Sequence, residues 1–278
     1  MIFLLLAILS STMVSVVMRI SSDKISGNIS MLAVNYLICA ILGAAYAGFG
    51  LWLPEKPGFS LMLGLGAVSG VLYLAGFVML QVSIRKNGMV LSAVFMKLGL
   101  LVPIVLSLLL FKETPTPVQI AGFFIAICAI VVINLKKDAG AQHFGAGLIV
   151  LLLLGGSCDA MSKVYEVFGA AALSEQFLFY TFAVAFLLCA TLAAKNREHP
   201  GLRELFFGIL IGMPNFFSAK FLLLALRKLP AVVVYPSFSV ATLLLVTLTG
   251  VAVFREKLSK LQWTAITAIV IALVLLNI

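Results

Sequence analysis

Charged and polar side chains stranded inside apolar runs are where this chain could do chemistry. Lys97 stands in the middle of an apolar run over 88–110, nine residues from its start and thirteen from its end. An ammonium at that depth needs a carboxylate, backbone carbonyls, water or an anionic ligand. The chemistry it suggests is capture of an anionic group in a wet cavity; the competing explanation is a buried structural pair. Asp159 and Lys163, four apart, fall on one helix face. They read either as an ion pair near the membrane boundary, or with Asp159 facing a central cavity as proton carrier or counter-ion to Lys97. Lys220 lies six residues from the end of its run, near enough to snorkel past Leu226, and ranks below Lys97. Glu175 opens its run, where a helix N-terminus favours negative charge.

Asn215 follows Pro214. Proline removes an intrahelical hydrogen bond and Asn can re-satisfy a freed backbone group, so the pair is either a harmless kink or a break opening toward a cavity. Tyr36 and Tyr180 are either rings facing each other across a cavity or anchors in the aromatic belt. Asn35, Tyr73, Gln81, Gln176 and Tyr235 complete the polar inventory, and none forms a catalytic spacing. Cys39, Cys128, Cys158 and Cys189 lie in apolar segments, and His143 and His199 in loops, without metal-like spacing. No metal or cofactor is expected.

The elements that must position these groups are set by composition. The 278 residues are 63% hydrophobic and 10% charged, with mean hydropathy +1.21. A water-soluble core cannot absorb that much apolar surface, so the expected solvent is lipid. The net charge of +9 sits singly or in pairs between apolar segments, which suits lipid headgroups and not nucleic acid. Ten candidate spans follow: 1–18, 30–53, 60–84, 88–110, 117–135, 145–162, 174–194, 205–226, 231–254 and 261–278. The first lacks a basic n-region and an Ala-x-Ala site, so it reads as a retained helix. The loops are too short to hold a soluble domain.

The chain also repeats itself. Phe111-Lys112-Glu113 returns as Phe254-Arg255-Glu256, and Gln119 and Asn134 return as Gln262 and Asn277, all 143 positions on. Gly66, Gly70, Arg85 and Lys86 return as Gly208, Gly212, Arg227 and Lys228, offset by 142. Ser30 and Tyr36 return as Ser174 and Tyr180, offset by 144. Five spans per copy is an odd number, so two copies cross the bilayer in opposite directions. The recurring Gly-x-x-x-Gly predicts close helix approach in both copies. The charges break the symmetry: Lys97 corresponds to Val240 and Asp159 to Ser15.

Glu113 followed by Gly122, and Glu256 followed by Ala265, each inside long apolar helices, resemble the EamA domain of the drug/metabolite transporter superfamily. That family ends each half of about 140 residues with a Gly-Glu turn between its fourth and fifth helices. Here Lys112 and Arg255 replace the glycine. The resemblance covers the whole chain as two tandem units, and implies a basket of ten helices with a central solute site. It also implies cytoplasmic termini. Twelve Lys and Arg on loops after odd-numbered spans, against five after even-numbered ones, put both termini outside instead.

The expectation is therefore an all-α polytopic membrane protein, ten transmembrane helices in a 5+5 inverted repeat over residues 1–137 and 144–278. Its function would be secondary active transport of a small polar organic metabolite, an amino acid or other carboxylate, by alternating access across the cytoplasmic membrane. Its partners would be that solute, membrane lipid and a coupling proton, with the chain a monomer or homodimer. Lys97, Asp159, Tyr36, Tyr180, Asn215 and Lys220 would bind solute or couple the proton. The alternatives are a lipid-modifying intramembrane enzyme, which the loop histidines disfavour, and a non-transporting scaffold, which needs no intramembrane lysine.

Overall fold

Runs of Leu, Ile, Ala, Val and Phe become helices because in lipid each backbone N–H and C=O must be satisfied within its own segment. The computed structural model describes all residues except 23, 26, 49, 88–91, 93, 94, 97, 111, 113, 135–145, 255–259, 277 and 278, and the side chains of 22, 81, 84, 85, 87, 130, 133, 134, 254, 261, 262, 265 and 273. Lys97 and the glutamate turns at Glu113 and Glu256 thus lie outside the described residues.

Ten α-helices stand among the described residues. They are α1 (Ile2–Ser22), α2 (Asn28–Tyr46), α3 (Phe59–Asn87), α4 (Leu101–Leu109), α5 (Pro117–Asn134), α6 (Ala146–Phe168), α7 (Ser174–Lys195), α8 (Leu202–Leu226), α9 (Ala231–Phe254) and α10 (Lys260–Leu276). By length and composition, seven described stretches suffice to cross a membrane: those of α1, α2, α3, α6, α7, α8 and α9. The described apolar stretches of α5 and α10 are shorter, and the described part of α4 spans nine residues.

The ends have local causes. α2 stops at Tyr46 rather than near residue 53, because Gly48 takes a left-handed φ of 61° and Pro54 follows. α5 begins at Pro117, whose ring is preset for a first helical position. A capping box precedes it: Thr116 Oγ1 accepts from the Gln119 N–H at 3.2 Å, and Gln119 Oε1 accepts from the Thr116 N–H at 3.1 Å. The same spelling, Ser259-x-x-Gln262, precedes α10 in the sequence. Just before this start, Lys112 holds a left-handed φ of 53°.

The helices sort into two compact units, one of residues 2–74 and 161–224, the other of residue 1, 75–160 and 225–278. In the first, α2 packs on α7, its repeat partner, and the two run antiparallel. Gly43 near the end of α2 abuts Phe179 near the start of α7, while the Ile29 N–H at the other end reaches Glu198 just past α7. α1 and α8 are also antiparallel, with Phe3 stacked on Phe221 and Val17 packed with Phe207 and Ile211. The Gly-x-x-x-Gly pairs sit where the repeats exchange contacts. A Cβ on Gly70 would stand 2.6 Å from the Thr181 carbonyl oxygen of α7, and one on Gly212 would stand 2.7 Å from Ile38 Cβ of α2. Each copy's third helix thus lies against the other copy's second, as the recurring motif predicted.

In the other unit, α5 packs on α10, again a repeat pair. Gly122 near the start of α5 meets Ala272, Leu275 and Leu276 near the end of α10. Gly99 and Gly156 also touch, with Gly99 O against the place a Gly156 Cβ would take.

Candidate functional site

The contact line between α2 and α8 carries polar groups along its length. On α2, Asn35, Cys39 and Tyr46 recur at helical spacing, so they share one face. At mid-span, Asn215 Nδ2 donates to Asn35 Oδ1 at 3.1 Å, and Cys39 Sγ donates to the Gly212 carbonyl at 3.2 Å. α8 stays helical through Pro214 from Leu202 to Leu226, so no helix break accompanies the proline. Asn215 directs its amide nitrogen to the neighbouring helix.

At the end of that line, α7 joins. Lys220 Nζ lies 3.0 Å from Glu175 Oε1 and 3.3 Å from the centroid of the Tyr46 ring, with Phe216 farther off at 5.9 Å. The ammonium is held by a charge-assisted contact and by the negative face of an aromatic ring. The Lys220 side chain is 14% exposed, so it is folded inward and paired where the sequence suggested snorkelling. Glu175 sits in the first turn of α7, as expected, where the helix dipole also favours its charge. Its partnership with Lys220 across two helices is new.

Glu175 Oε2 is buried and has no hydrogen-bond partner among the described residues, and the same holds for Gln176 Oε1. Gln176 Nε2 is engaged, donating to the Gly50 carbonyl at 2.9 Å. A buried unpaired acceptor costs about 1–3 kcal/mol. The first turn of α7 therefore holds two acceptors in need of a donor.

Tyr36 and Tyr180 do not face each other. Tyr36 is buried against Phe182 and Tyr73, with ring centroids 6.2 and 6.0 Å away. Tyr180 donates through its hydroxyl to the Leu51 carbonyl at 3.2 Å and packs on Phe59. The antiparallel register explains the separation: Tyr180 follows Phe179, which abuts Gly43, seven residues or about 10 Å of helix from Tyr36.

Lys163, buried near the end of α6, donates to Glu166 Oε2 at 2.8 Å, an acid on the next turn. In the other unit, half-buried Asp159 on α6 accepts through its backbone carbonyl from the Tyr235 hydroxyl of α9 at 2.7 Å. Of the six residues singled out from the sequence, the structure brings Asn215 and Lys220 to one interface. It adds Glu175, Gln176, Tyr46 and Asn35 beside them. Equivalence under the repeat pointed to the tyrosines instead, whereas opposite charges near span ends, Glu175 and Lys220, were the usable signal.

Comparison with known proteins agrees with this membrane architecture. A protein of Haemophilus influenzae, described only as uncharacterized, is 26% identical over 95% of this chain and 93% of its own length. A protein solved by crystallography superposes with a TM-score of 0.74, covering 99% of this chain and 94% of the other at 16% identity, a likeness of fold. The model of the EamA-like transporter family matches residues 1–135. Those residues carry helices α1 to α5, so the first five helices resemble the EamA-like transporter family, consistent with a multi-pass membrane protein of EamA type.

Proposed function

We propose that the chain is a secondary active transporter of a small polar organic solute, a carboxylate or amino acid, in the cytoplasmic membrane. Residues 1–137 and 144–278 are its two inverted five-helix repeats. The observation that supports this best is the antiparallel packing of repeat partners, α2 on α7 and α5 on α10. Two similar copies set in opposite directions give alternating access a simple basis. If the halves exchange conformations, the site turns from one side of the membrane to the other at little net cost.

In this proposal Lys97 attracts the anionic group of the solute, Asp159 couples a proton, and ion or solute gradients supply the driving force. The test is flux of labelled metabolites into proteoliposomes, guided by comparing accumulation in a deletion strain with an overexpressing one. Flux that depends on a pH gradient and falls at least tenfold in Lys97→Ala is the expected result. Lys97→Ala transporting as well as wild type removes Lys97 from the mechanism, and no gradient-dependent flux of any metabolite removes the transporter reading.

A further inference from the structure

Lys220, Glu175 and Tyr46 together have the composition of an occupied cation site. A carboxylate and an aromatic face are what a protein offers an ammonium group. Here the ammonium in place belongs to the protein's own side chain. Lys220 meets one oxygen of Glu175, and among the described residues Glu175 Oε2 is left buried without a donor, as is the neighbouring Gln176 Oε1. The cluster holds an excess of acceptors.

We infer that Glu175, Gln176 and the Tyr46 ring bind the ammonium group of a small amine-bearing solute, and that Lys220 is its tethered stand-in when the site is empty. Lys220 has the means to leave. Its four-carbon stem is flexible, and it sits six residues before the end of α8, within snorkelling distance of the interface. The exchange conserves charge. With Lys220 inward, its ammonium neutralises Glu175; with solute bound, the solute's ammonium does so, and Lys220 takes its charge to water and headgroups. Neither state leaves an unpaired charge in low dielectric, which is the condition for a charged site to persist near a bilayer. Entry is open in part, since the side chain of Glu175 keeps 28% of its exposure and Tyr46 keeps 50%.

That the amine is cargo rests on the transporter reading; that it binds does not. The probe is ethylammonium chloride, added to the full-length protein in detergent against sodium chloride at equal ionic strength, with thermal unfolding as readout. Wild type should gain stability with ethylammonium over sodium. Lys220→Met, which keeps the stem and removes the tethered competitor, should respond at concentrations at least tenfold lower. Glu175→Gln should lose the response, and so should the uncharged Lys220→Met/Glu175→Gln pair, which leaves no isolated charge to disturb folding. A Lys220→Met protein recovered folded only when ethylammonium is present also supports the site. Equal responses to ethylammonium and sodium in wild type overturn the inference, as does an undiminished response in Glu175→Gln. The two proposals fail separately: ethylammonium-specific binding without flux of any amine defeats the cargo assignment, whereas flux of other solutes without such binding defeats the site.

Discussion

Substituting two glycines of α3 tests whether the repeats are held by close backbone approach. A Cβ on Gly70 would stand 2.6 Å from the Thr181 carbonyl oxygen and 2.7 Å from Val184 Cβ, whereas one on Gly64 meets nothing within 4 Å. To reach ordinary contact near 3.4 Å, α7 must retreat from Gly70→Ala by about 0.8 Å. Overpacking of that kind costs about 1–3 kcal/mol. Replacing glycine by alanine inside a helix returns up to about 1 kcal/mol of propensity, and Gly64→Ala gains the same. Propensity therefore cancels between the two variants, leaving a gap of about 1–3 kcal/mol, or roughly 5- to 150-fold in the unfolding equilibrium. The assay is reversible unfolding in mixed detergent–SDS micelles followed by far-ultraviolet circular dichroism. Gly64→Ala should match or exceed wild type, and Gly70→Ala should fall below it. Equal stabilities for the two variants would refute the contact.

Other consequences are equally direct. Glu198 accepts from the Ile29 and Ser30 N–H groups at 3.2 and 3.3 Å, capping α2 from the α7–α8 loop. Glu198→Ala should cost about 1 kcal/mol and speed amide exchange at those two residues above all. A Gly43 Cβ would lie 3.2 Å from Phe179 Cβ, close to disulfide range. With the native cysteines replaced by alanine, Gly43→Cys/Phe179→Cys should cross-link in oxidised membranes. Gly43→Cys/Ala193→Cys, reaching for the far end of α7, should not, and equal cross-linking of both pairs would contradict the antiparallel register.

Much of the fold could be read directly because lipid leaves few choices. Apolar runs must be helices, and glycines four apart recurring at the repeat offset must serve contact, as Gly66, Gly70, Gly208 and Gly212 do. Helix ends were less visible, since hydropathy continues past Tyr46 while the backbone turns at Gly48. Side-chain partnerships across helices were least visible. Glu175 and Lys220 each had a sufficient local explanation, a dipole for one and snorkelling for the other, and only the packing of α7 beside α8 joins them. Tyr36 and Tyr180 misled for a geometric reason: equivalent positions on antiparallel copies coincide only at the crossing. Asn215 looked like a group at a helix break because its sequence neighbour is proline, yet Asn35 satisfies it.

The left-handed backbone at Lys112 carries a cost that anionic lipid would offset. A residue with a Cβ costs about 1–2 kcal/mol in that conformation, and glycine, which the family pattern prefers there, avoids most of the penalty. A lysine beside anionic headgroups gains about 1 kcal/mol, a comparable sum. In a bilayer of neutral lipids Lys112→Gly should therefore stabilise the protein by about 1 kcal/mol. With anionic lipids the gain should shrink toward zero, measurable by unfolding in nanodiscs of the two compositions. That outcome would make membrane composition a determinant of how firmly α5 is seated.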